Sequence, residues 1–106
     1  NVAYFRYMEE ARVRWLSTLG EDIVAGTSGP VLFDASCTYL KPVVYPATLH
    51  VALLAEPPRR ASVNLLYRFL LDGSELVAQA ESKLVWVDYQ RMKSISLPER
   101  LKQLLV

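Results

Sequence analysis

The first twenty residues, NVAYFRYMEEARVRWLSTLG, constrain the fold more than any other stretch of the chain. Phe5, Met8, Trp15 and Leu19 recur at steps built from three and four residues, with Ala11 and Leu16 beside them. That spacing is the helix period. No proline interrupts the run, and Gly20 stands where a left-handed C-cap would end it. At a rise of about 1.5 Å per residue the run makes a rod of about 24 Å, enough to cross a small sheet. Asn1 is the only candidate N-cap, so an element feeding this helix is expected upstream of the given sequence.

A chain of 106 residues fits one domain. Its 52% hydrophobic content is high for that size, and a buried interface between subunits is the simplest way to absorb the surplus. The net charge of +1, with acids and bases interspersed, gives no long-range attraction to nucleic acid or anionic membrane. No apolar run reaches membrane-spanning length and no signal peptide is present, so the expectation is a cytoplasmic protein with no nucleic-acid partner and no membrane span. Cys37 is the single cysteine, which excludes an internal disulfide and offers no metal cluster.

Beyond Gly20 the stretch GEDIVAGTSGP reads as a loop. From Val31 to Leu40 the period drops to two, with Phe33, Ala35, Cys37 and Tyr39 on one face of a strand and Leu32, Asp34, Ser36 and Thr38 on the other. Further strands are expected at 48–55, 60–71 and 75–88, the last two joined by the hairpin signal Asp72-Gly73-Ser74. In the fourth, Leu76, Ala78, Ala80, Ser82, Leu84 and Trp86 share a face opposite Glu75, Val77, Gln79, Glu81, Lys83, Val85 and Val87. After a loop, YQRMKSISL, Pro98 opens a short helix, PERLKQLLV. Short turns tie the last three strands into an antiparallel meander. The pattern predicts a two-layer α+β domain with the long helix on one face of a curved sheet. The 31–40 strand is expected to pair with its own copy across a two-fold axis.

Catalytic groupings are sparse. His50 lies mid-strand with no nucleophile or carboxylate at a telling spacing, and reads as a surface or interface strand residue. Cys37 sits on a strand, away from any helix N-terminus, and reads as a small core residue. Glu10 and Arg14 are spaced as a helix ion pair. Glu9 borders the apolar face three residues from Arg12, where a structural pair and a general base are both open. Two basic clusters remain: Arg59, Arg60 and Ser62 at the entrance of the third strand, and Arg91 and Lys93 at the exit of the fourth. In the meander these ends adjoin, so the clusters are expected to converge, either gripping an anion or guarding a sheet edge.

The residues at the chain's start resemble a family. NVAYFRYMEEARVRWL is similar to the helix of hotdog-fold acyl-CoA thioesterases of the 4-hydroxybenzoyl-CoA thioesterase type, whose signature runs D-x-x-G-H-x-N-N-x-x-Y-x-x-x-x-E-x-A-R. Asn1 matches the final Asn, Tyr4 the Tyr, Glu9 the Glu, and Ala11-Arg12 the Ala-Arg. The resemblance continues through the 31–40 strand with Lys41-Pro42 after it, the Arg59–Ser62 entrance, DGSELVAQAESKLVWVD and KSISLPERLKQLL.

That resemblance implies an antiparallel sheet wrapped around a central helix, with one more strand before the helix than this sequence carries. It implies hydrolysis of acyl-CoA by a homodimer or homotetramer needing no metal or redox cofactor, with coenzyme A present only as part of the substrate. The family's catalytic Asp falls upstream of residue 1, and a longer encoded protein is expected. Asn1, Tyr4 and Glu9 would then lie at the reacting end, with backbone N–H groups near Asn1 as an oxyanion hole. Arg59, Arg60, Ser62, Arg91 and Lys93 would hold the CoA phosphates. Tyr4, Phe5, Met8, Tyr39 and Tyr67 are candidates to line the acyl tunnel. The alternative reading is a non-catalytic module that binds CoA or acyl-carrier thioesters.

Overall fold

The structure, a computed structural model, describes residues 2–19, 26–44 and 46–105. Asn1 and Gly20 therefore lie outside the described residues, with their expected N-cap and C-cap, as does most of the loop between helix and first strand. Helix α1 (Val2–Ser17) presents Tyr4, Met8 and Arg12 to the sheet in one i, i+4 row, with Leu19 buried beyond its end. Phe5 does not belong to the buried face. It is 43% exposed, because centring the helix on Tyr4 and Met8 turns the next residue outward. The helix closes by tightening: Thr18 N–H and Leu19 N–H donate to carbonyls three residues back, and the Ser17 and Thr18 hydroxyls donate to those of Arg14 and Trp15.

The sheet comprises β1 (Ser28–Tyr39), β2 (Leu49–Ala55), β3 (Ser62–Leu71) and β4 (Glu75–Asp88) in the order β1-β4-β3-β2, all antiparallel. The expected meander is present as β2-β3-β4. A two-residue strand, β5 (Lys93–Ser94), pairs with β4 inside the stretch read as loop. The strand expected at 31–40 starts earlier, at Ser28. Pro30 is accommodated because β1 is an edge strand, where a missing N–H costs no ladder bond. Asp72 and Gly73, with φ of 50° and 81°, occupy the centre of the hairpin turn closed by Ser74 N–H on the Leu71 carbonyl.

Two bulges correct the expected faces. In β1 the pairing steps from Leu32↔Leu84 to Asp34↔Lys83, leaving Phe33 unpaired. Phe33 swings to the far side, where the Lys83 ammonium lies 5.4 Å from its ring centroid. Leu32, not Phe33, then shares the inward register with Ala35, Cys37 and Tyr39. In β4 the pairing with β3 skips Val77, which turns inward and is 1% exposed, while Leu76 is only half-buried. The Val77 carbonyl accepts from both Leu40 N–H and Lys41 N–H.

The main core joins Tyr4 and Met8 to Val63, Leu65, Tyr67, Phe69, Ala78, Ala80 and Leu84. A second cluster of Leu19, Trp86, Leu97 and Leu101 seats helix α2 (Glu99–Leu105) on the far end of β4.

Candidate active site

Tyr4 enters the structure as an aromatic anchor near the start of α1. Its ring meets Phe69 edge-on at 4.9 Å, Tyr39 at 5.1 Å and Tyr7 at 6.4 Å. Tyr39 stands on β1 and Phe69 on β3, so this cluster fixes the head of the helix over the sheet. Glu9 is exposed, on the flank of α1 that also carries Phe5, Arg12 and Leu16 at helical spacing. It makes no ion pair with Arg12. Glu10 and Arg14 likewise stay apart, because an exposed pair gains too little to overcome hydration. Among the described residues the ion pair found is Lys41–Glu75, at 2.7 Å.

Arg12 turns into the core instead. It is 9% exposed, and its Nη1 donates to the Tyr67 hydroxyl at 3.3 Å; that hydroxyl lies 2.6 Å from Ser82 Oγ, which is also buried. Sequence spacing pairs Arg12 with a helix carboxylate. The signal for the observed partner is faint: Ser82 is the one hydroxyl in an inward row of Ala78, Ala80, Leu84 and Trp86.

The two basic clusters do adjoin. Because β5 continues along β4 where β3 leaves off, Ser94 and the residues after it run beside Arg60. Leu97 N–H donates to the Arg60 carbonyl at 2.7 Å. The Arg60 guanidinium spans two hydroxyls, Nη2 to Ser94 Oγ at 3.3 Å and Nη1 to Ser96 Oγ at 3.4 Å. Arg59, Arg91 and Lys93 are exposed nearby in sequence, whereas Ser62 is 7% exposed and buried. Strand alternation sends Lys93 to the opposite face from Ser94. Ser94 and Ser96 are not among the sequence-expected residues; the alternation K-S-I-S, with Ile95 packed inward, is the available sign.

A concavity of about 490 Å³ lies on the other flank of α1 between Tyr7, Glu10, Ala11 and Arg14 and the inward residues Leu49, Val51 and Leu53 of β2. It exists because β2 ends the sheet, and none of the expected site residues that are described line it. His50 is exposed, as expected for a surface strand position. Cys37 is half-buried against the core, and burial pushes its thiol above the ordinary range. Among the described residues no group of three or more His, Cys, Asp or Glu side chains could hold a metal ion, and no helix is long and apolar enough to cross a membrane.

The family profile described as the thioesterase-like superfamily matches residues 1–105. This chain belongs to that superfamily. A candidate thioesterase from Pseudomonas aeruginosa is 37% identical, over 100% of this chain and 83% of its own, with a TM-score of 0.88. A hypothetical protein from Aquifex aeolicus is 30% identical over 97% of this chain and 82% of its own, with a TM-score of 0.80. A thioesterase from Thermus thermophilus, solved with coenzyme A and zinc, is alike in fold at 23% identity and a TM-score of 0.80, over 97% and 79% of the two chains. No curated protein matches in sequence. The thioesterase-like fold is thus the hotdog arrangement, an antiparallel sheet curved around one long helix, as the resemblance implied.

Proposed function

We propose that this chain is an acyl-CoA thioester hydrolase. The observation that carries the reading is the match of residues 1–105 to the thioesterase-like superfamily. The guanidinium of Arg60, bracketed by Ser94 and Ser96 beside Arg59, supports it: a planar fork with two hydroxyls is suited to phosphate oxygens. The Thermus relative's bound coenzyme A is consistent with that ligand. Arg91 is exposed at the same end of the sheet, and Lys93 and Ser62 stay in the proposed set on the family resemblance alone.

Chemistry belongs at the start of α1. Aligned peptide dipoles make a helix N-terminus positive, so backbone N–H groups around Asn1 would stabilise the oxyanion that forms on the thioester carbonyl. A carboxylate, which the family resemblance assigns to an Asp before Asn1, activates water or attacks directly. Water's oxygen ends bonded to the acyl carbon, the C–S bond breaks, and the CoA sulfur leaves with a proton. Tyr4 holds the helix head in place, and Glu9 faces the same flank as the acyl path. A second copy is proposed to pair along β1, whose outer edge has no partner among the described residues.

The test is thiol release from acyl-CoA by the full-length protein, with the upstream Asp changed to Asn. Loss of turnover supports the mechanism, and undiminished turnover overturns it. Changing Arg59 and Arg60 together to Ala should raise KM about tenfold or more with kcat held within about twofold, since they grip a remote part of the substrate. CoA binding without turnover in the unaltered protein would favour the non-catalytic module.

A further inference from the structure

We infer that Arg12, Tyr67 and Ser82 form a recognition site for an anionic, hydrogen-bond-accepting group at the far end of the acyl chain, with a carboxylate as the fitting chemistry. The inference rests on the thioesterase reading for its ligand, but on the network itself for its chemistry. Arg12 is a guanidinium buried to 9% exposure whose partner among the described residues is one neutral hydroxyl. No described carboxylate lies within ion-pair distance of it. A buried charge without a counter-charge is costly, and folded chains rarely retain one unless an anion answers it.

The polarity of the network says what that group must be. Guanidinium can only donate. The Tyr67 oxygen accepts from Arg12 and shares one further hydrogen bond with Ser82 Oγ, 2.6 Å away, in which either hydroxyl can donate. The guanidinium keeps further N–H donors and one hydroxyl proton stays free whichever way that bond runs, so the trio is rich in donors beside a net positive charge. An acceptor carrying negative charge fits, and a cation does not.

Position agrees with an acyl ligand. On the helix, Phe5, Glu9 and Arg12 share the flank opposite the groove lined by Tyr7, Glu10, Ala11 and Arg14, so they face the β4–β1 side. Phe5 and Tyr39 are 43% and 46% exposed, which puts apolar surface near the helix head for an acyl chain to lie on. Arg12 stands ten residues from the start of α1, which is about 15 Å of rise, shortened by the backward tilt of helical side chains. That span suits a medium-length acyl chain with a terminal carboxylate.

The experiment compares kcat/KM for plain and ω-carboxy acyl-CoA of matched length (hexanoyl and adipoyl, octanoyl and suberoyl, decanoyl and sebacoyl), in the full-length protein and in Arg12→Met, Arg12→Lys and Ser82→Ala. The expected result is a preference for at least one ω-carboxy member that falls about 10- to 100-fold in Arg12→Met and partly recovers in Arg12→Lys. A second readout needs no turnover: suberate should raise the Tm of the parent and leave that of Arg12→Met unmoved. Unliganded Arg12→Met should melt no lower than the parent, since it removes an unanswered charge. Plain chains preferred at every length, or a ratio indifferent to Arg12, overturns the proposal. So does an Arg12→Met variant that shifts from oligomer to monomer with the ratio unchanged, which would assign the anion to a partner subunit. Should the parent hydrolyse no thioester yet still be stabilised by suberate through Arg12, the thioesterase reading fails and the carboxylate site stands.

Discussion

Gly29 lies against the ring of Tyr89, whose hydroxyl donates to the Pro30 carbonyl at 3.2 Å. A Cβ at position 29 would meet that hydroxyl oxygen at 2.5 Å, so a side chain there displaces Tyr89 and breaks its bond. Gly29→Ala is expected to cost about 1–2 kcal/mol by urea denaturation, and much less in a Tyr89→Ala background where the obstruction is gone. Equal costs in both backgrounds would show that the Tyr89 contact is irrelevant. Cys37 gives a pH prediction. Burial raises its thiol pKa, so the folded state holds the proton to higher pH than the unfolded chain does. Its contribution to stability is therefore complete below about pH 8.5 and is lost as pH rises through the folded value. Alkylation with iodoacetamide near pH 8 should run slower in the native protein than in urea, and equal rates would contradict the shielding.

At the scale of elements, periodicity locates α1, β2, β4 and the Asp72-Gly73 turn closely, because each is dominated by local chemistry: helical spacing, alternation, or positive φ. It fails where tertiary pairing overrules alternation. Nothing in the run Leu32-Phe33-Asp34 announces that Phe33 is the residue left out, since the bulge is set by the register against β4. Simple alternation puts Val77 outward for the same reason. Val77→Ala is expected to cost about 2 kcal/mol and Leu76→Ala less, the reverse of what their sizes alone suggest. A larger loss at Leu76 in equilibrium unfolding would restore the simple alternation. β5 escapes notice because a two-residue strand has too few positions to show a period, yet it is what draws Ser94 and Ser96 to Arg60.

Across the whole molecule, the apolar excess read from composition is visible as exposed side chains along the β1 edge and its exit: Leu32, Phe33, Tyr39 and Leu40 range from 45% to 71% exposed. A pairing between copies along β1 would cover part of this surface. Changing Leu32 and Leu40 together to Glu should lower the mass seen by sedimentation equilibrium to that of a single chain. An unchanged mass would remove β1 from the interface. The candidate site is only partly legible at this scale. The basic clusters are visible because charge is local in sequence, while the Arg12–Tyr67–Ser82 trio joins residues separated by up to 70 positions and needs the fold to exist. The bulge at Phe33 has its own consequence for variation in this chain. It divides β1 into two reading frames: even-numbered residues 28, 30 and 32 point inward before it, and odd-numbered 35, 37 and 39 after it. Losing the single codon for Phe33 would merge the frames without turning either half over, because Leu32↔Leu84 and Asp34↔Lys83 are already consecutive pairs. Deletion of Phe33 should thus be tolerated, and a large loss of stability on deleting it would show that the bulge itself is needed.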